Sequence, residues 1–388
     1  MKEQILEKVL TIEKELLNNQ DAIGLYTGKA GTALFYTYLS KYLGTNDYDE
    51  KIEKSLVDIF ESINNGNSNT TFCSGLSGII WGIEHLKQKK LLELEDSFED
   101  AYDALKESAL QYAKKGEFDF LHGADGIVYC LLMMDVADEA FINKWLDLLY
   151  QYARKEEKGF VWETILTIKS DKKVLNLSLS HGISSKIIVL AETLKKYPAN
   201  ILTKQLLEGS VNYLLESKNK DDLGFCFPSY IDEDNTGKRA RLAWCYGDLG
   251  NAIALWRAGC SLNNKAWKDQ AIDVMLETVK RKNPAKEGVV DAGFCHGSAG
   301  IAHIFNRFYL ETGRKEFDDA RWFWVKKTLE FGEQPNGIGG FKMYVGLEDK
   351  YVSESNFLEG ATGIAIVLLG FLSEEKENIA WDACFLMN

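Results

Sequence analysis

Proline is almost missing from this chain, with four in 388 residues (Pro198, Pro228, Pro284 and Pro335) against 32 glycines. Flexible, loop-rich chains raise both residues together, so here the glycines belong at defined places in a mostly helical framework. Long apolar runs are absent too. The longest, such as Ile364 to Leu369, fall far short of the roughly 20 residues that a membrane-spanning helix requires. Cationic residues are outnumbered, 45 Lys and Arg against 58 Asp and Glu, for a formal charge of −13. Such a protein is repelled by phosphate backbones and anionic lipid, which argues against nucleic acid or a membrane surface as partners.

Cysteine follows no scaffold pattern. Seven residues (73, 130, 226, 245, 260, 295 and 384) lie at long intervals without a CxxC pair. The start, MKEQILEKVLTIEKELL, reads as a charged amphipathic helix without the apolar centre of a signal peptide. Both features suggest a reducing cytoplasm, where cysteines pack, ligate metals or act as nucleophiles. What is abundant is core material: 46% of residues are hydrophobic and 12% aromatic, which suits a large folded unit.

The glycines resolve into a repeat. Gly28-Lys-Ala-Gly31, Gly75-Leu-Ser-Gly78, Gly123-Ala-Asp-Gly126, Gly247-Asp-Leu-Gly250, Gly297-Ser-Ala-Gly300 and Gly360-Ala-Thr-Gly363 each open an apolar segment. Gly182-Ile-Ser-Ser185 is a seventh that lacks its second glycine. Successive first glycines are 47, 48, 59, 65, 50 and 63 residues apart. Between them lie polar segments with a 3.6-residue period, near 2–18, 50–64, 98–115, 139–154, 200–217, 264–281 and 315–331. A helix apolar all round is buried and a one-sided helix lies outside it. Glycines at i and i+3 share one face of the first turn and admit a close backbone. The expected fold is all-α, an (α/α)7 toroid of seven hairpins spanning residues 1–388 as a single domain. An open solenoid has the same period, but the first and last inner segments (TALFYTYL and IAIVLLGF) are as apolar as the middle ones, which favours closure. The stretch Phe160 to Leu177 reads as β, and it and the long turns at 219–239 and 332–357 elaborate the rim.

Parallel inner helices gather the residues before each glycine pair at one rim. Counting each first glycine as zero, Cys245 and Cys295 lie at −2, His181, Tyr246 and His296 at −1, Asp119 at −4 and Arg241 at −6. Two thiolates and an imidazole are a three-ligand zinc set with an open fourth position. Cys245 and Cys295 hold one register on neighbouring repeats, which separates them from ordinary buried cysteines. Cys73 shares the register on the opposite wall and reads as packing. Asp119 and His181 continue the same arc, although Asp is also a favoured helix cap. His122 and Glu359 share the −1 register and are accounted for by capping or rim packing. His85 and His303 lie inside inner helices.

With SHG at 180–182, WCYG at 244–247 and CHG at 295–297, the whole chain resembles the lanthionine synthetase C-like family. Within that family it resembles the bacterial cyclases of class I lanthipeptide biosynthesis. The resemblance implies the (α/α)7 fold, one zinc held by Cys245, Cys295 and His296, and catalytic roles for His181, Asp119, Arg241 and Tyr246. It implies addition of peptide cysteine thiolates to dehydroalanine or dehydrobutyrine, giving thioether rings. The implied partners are a dehydrated precursor peptide, a lanthipeptide dehydratase and an exporter, for a cytoplasmic protein peripheral to a membrane-associated complex. The chain departs from the family pattern in Ser185, in the HGADG of its third turn, and in lacking an evident small β insertion. Other classes remain open on the residues: a relative that binds or adds a small thiol such as glutathione, or another zinc toroid enzyme such as a prenyltransferase. A glycosidase on a six-hairpin ring is disfavoured by the seven-fold count and the lack of a carboxylate pair.

Overall fold

The computed structural model describes the chain except residues 17–20, 95–97, 168–169, 222, 233–238 and 388. The seven polar segments form α1 (Lys2–Glu15), α3 (Asp49–Asn64), α5 (Glu99–Lys114), α7 (Glu139–Tyr152), α9 (Ile201–Glu216), α11 (Lys265–Val279) and α14 (Lys315–Phe331). The seven glycine-started segments form α2 (Lys29–Leu43), α4 (Leu76–Gln88), α6 (Ala124–Met133), α8 (Ile183–Lys196), α10 (Asp248–Ser261), α13 (Ser298–Thr312) and α15 (Ala361–Gly370). Local chemistry sets the ends. Asp138, Asn200 and Asn264 cap α7, α9 and α11 by accepting from Phe141, Thr203 and Trp267 N–H. Every glycine-started helix has its first glycine as the N-cap residue.

The second glycine of the pair answers a steric demand. The incoming chain crosses the first helical turn so closely that a Cβ on Gly300 would sit 1.8 Å from the Phe294 carbonyl oxygen. The close backbone is thus the helix's own entry turn, six residues upstream. Ser185 stands at this position in the fourth repeat, buried, with its hydroxyl donating to Gly182 O at 3.0 Å.

Contacts cluster in two compact units. One contains residues 98–283, with α6 against α8 and α8 against α10, covered by α5, α9 and α11. The other joins residues 1–97 to 284–386, so it is built from both ends of the chain. Within it α13 packs on α15, α15 on α2 and α2 on α4, with α3 and α14 outside and α1 against α15. The last glycine-started helix therefore lies directly against the first, the contact that ring closure requires and an open solenoid lacks.

The β-like stretch is more than a rim turn. In the first unit β1 (Arg154–Glu156) pairs with β2 (Gly159–Val161), and β3 (Glu163–Thr167), β4 (Ser170–Asn176) and β5 (Tyr230–Ile231) form an antiparallel sheet. The third strand is only two residues long and comes from the turn at 219–239, so the sequence alone did not reveal a sheet. The rest of that turn includes residues 222 and 233–238, outside the described residues. In the turn at 332–357, β6 (Met343–Val345) pairs with β7 (Lys350–Val352). A short helix, α12 (Pro284–Glu287), and a C-terminal 3₁₀ helix (Lys376–Phe385) complete the described elements.

That 3₁₀ helix fastens the second unit from within. Phe385 stacks on Tyr26 at 4.7 Å and on Phe294 at 3.8 Å, and Tyr26 OH donates to Cys384 O at 2.5 Å. Asp382 is fully buried, 2.9 Å from His303 Nε2 and 2.9 Å from Arg307 Nε, with a second Arg307 nitrogen on its other oxygen. Removing one partner of such a network leaves an uncompensated buried charge. We expect Asp382→Ala to lower stability by about 3–5 kcal/mol, read from the shift of the urea unfolding midpoint. A near-neutral effect would show that the guanidinium of Arg307 finds other compensation.

Candidate functional site

The site's donors come from the turns that precede glycine-started helices. In the unit of residues 98–283, WCYG passes into α10 through Gly247, whose φ of +129° excludes other residues without strain. This turn carries Arg241, Cys245 and Tyr246. Arg241 Nη2 lies 3.6 Å from Cys245 Sγ, and the Cys245 carbonyl accepts from Leu179 N–H at 3.0 Å. The turn before α10 is thereby joined to the SHG turn before α8. A guanidinium at this range favours the thiolate form of cysteine.

His181, in the turn before α8, and Asp119, in the turn before α6, meet across those two turns. His181 Nδ1 lies 2.6 Å from Asp119 Oδ2. The other Asp119 oxygen accepts from Leu121 and His122 N–H, both at 2.8 Å. Burial by itself would raise the Asp119 carboxyl, but His181 and then His122 hold it below its usual range. Burial would likewise lower His181, yet Asp119 outweighs it, with Cys245 adding and Lys186 opposing, so the imidazole stands above its ordinary value. An ionised Asp119 accepts a hydrogen bond from Nδ1–H and leaves Nε2 to exchange protons with a substrate. Tyr246 sits 6.1 Å from the His181 ring, and its hydroxyl accepts from Asn176 Nδ2 at 3.3 Å. Burial pushes its phenol up, so it stays protonated.

In the unit built from the chain ends, the CHG turn is held by a bond from Cys295 N–H to Leu358 O at 2.9 Å. This brings Glu359 beside the turn, its Oε1 3.5 Å from His296 Nδ1. Metal-ligating histidines commonly have a carboxylate at the second ring nitrogen. The ligating atoms of Cys245, Cys295 and His296 all lie within 4.8 Å of one another. Two thiol sulfurs and one imidazole nitrogen at that spacing fit a zinc-type donor set, so these residues together could hold a metal ion.

The remaining assignments divide. Cys73, Cys130 and Cys384 are buried and Cys260 is exposed. Cys226, left without a role by its sequence, is buried, its N–H donating to Asp248 at 2.9 Å and its thiol pushed up to about 12 by burial. His85 bonds Tyr38 OH at 2.9 Å and burial takes it down to about 4. Capping does not explain His122 or Glu359, because neither α6 nor α15 has a side-chain cap. The exposed His122 ring stacks 6.0 Å from His181, and both His122 and Asp119 line a cavity of about 750 Å³ with Tyr152, Arg154, Trp162 and Glu163. The signal that could have found His122 and Glu359 was present, since both occupy the −1 register of His181 and His296.

Two comparisons bear on this arrangement. A structure titled "Nisin cyclase" matches over 100% of this chain and 97% of its own, with a TM-score of 0.76 at 20% identity. That likeness establishes the fold as a helical toroid. The family model described as "Lanthionine synthetase C-like protein" matches residues 20–386. On a match across nearly its whole length, the chain belongs to the lanthionine synthetase C-like family.

Proposed function

We propose that this chain is a zinc-dependent lanthipeptide cyclase. On this reading Cys245, Cys295 and His296 hold one zinc, and a dehydrated peptide is the substrate. The observation that carries it is the convergence of two cysteines and a histidine from the WCYG and CHG turns of a family member. The name of the similar structure, a nisin cyclase, points the same way. We take the whole chain as one catalytic domain.

The reaction adds a cysteine S–H across the C=C of dehydroalanine or dehydrobutyrine. A carbon–sulfur bond forms and the π bond breaks; the thiol proton passes to solvent water, and a proton is delivered to the α-carbon by an imidazolium that is then reprotonated from solvent. A free thiol near pKa 8.5 is only a few per cent ionised at neutral pH, so it requires activation. A zinc ion held by Cys245, Cys295 and His296 would supply that activation, by favouring the thiolate form of the substrate cysteine. Arg241 favours the anionic form of Cys245 and offers a positive charge for the enolate that follows addition. His181, kept readily protonated by Asp119, delivers the proton to the α-carbon. Asp119 orients the ring by holding Nδ1, and Tyr246 flanks it as a neutral hydroxyl. The cavity beside Asp119 and His122 has room for residues neighbouring the reacting pair.

Cyclisation leaves the mass unchanged, so its measure is loss of thiol alkylation on a dehydrated, cysteine-containing peptide. Wild-type protein is expected to carry about one zinc per chain and to protect the peptide thiols. Cys295→Ala should lose both metal and activity, and a metal-free variant with full activity would sink the reading. His181→Ala should keep its zinc while the rate drops by about 10²–10⁴ or the new stereocentre is scrambled; wild-type kinetics and stereochemistry would remove His181 from the chemistry. A parallel incubation with glutathione and a dehydroamino-acid peptide separates the small-thiol alternative, because glutathione addition raises the peptide mass.

A further inference from the structure

Lys186 is the least expected charge in the molecule. It is 1% exposed, although lysine is almost never fully buried unless its ammonium is partnered. Its Nζ donates to Phe118 O at 2.6 Å and lies 3.4 Å from Asp125 Oδ2. The second Asp125 oxygen accepts from Trp145 Nε1 at 3.2 Å, and the Trp162 ring lies 5.9 Å from the ammonium. The Phe118 carbonyl belongs to the same rigid peptide plane as the nitrogen of Asp119. Residues of the α8 repeat thus hold two consecutive residues of the preceding turn: Lys186 holds the peptide of Phe118, and His181, just before the α8 N-cap, holds the side chain of Asp119.

We propose that Lys186 is a positioning residue: its ammonium clamps the Phe118 carbonyl and so fixes Asp119 against His181 for proton delivery. Two hydrogen bonds and two stretches of chain form a closed circuit, from α8 through Lys186 to Phe118, along the chain to Asp119, and back through His181 to α8. Asp119 also has its own bonds to Leu121 and His122 N–H, but these lie within its turn and move with it. The Lys186 bond ties that turn directly to α8, the helix whose entry turn carries His181. A bond from an ammonium to a carbonyl in a dry site is short and strong, which suits the task. Asp125 compensates the charge without touching the dyad. The assignment rests on the proposed role of His181 and Asp119 in ring closure.

The test uses ¹⁵N-histidine-labelled full-length protein, in which only five histidines give signals. A strong Nδ1–H bond to a carboxylate places the His181 proton at low field with slow exchange. Lys186→Met keeps the length of the side chain and removes the ammonium. It is expected to lose or broaden that resonance, keep wild-type zinc content, and lower kcat by tenfold to about 100-fold with KM within twofold. Should the single variant fail to fold around Asp125, the double variant Lys186→Met with Asp125→Asn removes the charge imbalance while an Asn oxygen still accepts from Trp145. It should show the same loss. Asp125→Asn alone keeps the clamp and should keep the resonance. A sharp, wild-type His181 signal in either folded Lys186 variant overturns the proposal, as does equal loss of the signal in Asp125→Asn. Because the resonance is read on resting protein, it stands apart from cyclisation: a wild-type chain that never protects peptide thiols would defeat the cyclase reading and leave the clamp measurable.

Discussion

The structure depends on how closely the incoming chain crosses the first turn of each glycine-started helix. The crossing leaves no room for a Cβ at Gly31, Gly78, Gly250, Gly300 or Gly363, the approach at Gly300 being 1.8 Å, whereas α8 admits Ser185. It therefore fixes the residues just upstream against the helix start rather than letting them swing as loop. Side chains at −1, −2 and −4 inherit that rigidity without secondary structure of their own. Precise donor placement normally favours helices or strands over loops. Here a loop is made as stiff as a helix by being pressed onto one.

The same crossing explains why thiol chemistry suits this rim. Cys245 and Cys295 sit just upstream of helix N-termini, where backbone N–H groups and the helix dipole favour negative charge. Arg241 at 3.6 Å adds a full positive charge for Cys245. Cys226 shows the contrast, since burial and the nearby Asp248 push its thiol up to about 12. Position relative to the turn separates Cys245 and Cys295 from Cys226, and their place on consecutive repeats separates them from Cys73, which holds the same register.

Much of this was legible in the residues because the repeat converts spacing into place. The seven glycine starts gave the inner helices, their register grouped Cys245, Cys295 and His296, and SHG placed His181 near Asp119. The three-stranded sheet was not legible, because β5 contributes only Tyr230 and Ile231 from far along the chain. Lys186 and Asp125 were missed for a related reason. Asp125 is the single charge of α6 and Lys186 stands alone in the apolar first half of α8, and only the fold shows that they face one another. Glu359 and His122 were assigned to capping or rim packing because register alone does not say whether a side chain turns back on its own helix or toward a neighbouring turn.

Histidine environments sharpen the point. His303 and His181 each bond an aspartate, at 2.9 and 2.6 Å, yet they shift in opposite directions. His303 is completely buried, and Arg307 competes for Asp382 and repels a second positive charge, so its imidazole stays neutral and serves as packing. His181 keeps side-chain exposure of 30%, and Asp119, with the Cys245 sulfur beyond it, outweighs burial and the Lys186 charge. A carboxylate contact by itself therefore does not mark a catalytic histidine. What marks it is a carboxylate that no other cation satisfies directly, on a ring that solvent and substrate can still reach. By that criterion Lys186 has a second consequence: bound to the Phe118 carbonyl and paired with Asp125, it stays close enough to fix the Asp119 turn while leaving the Asp119 carboxylate to His181.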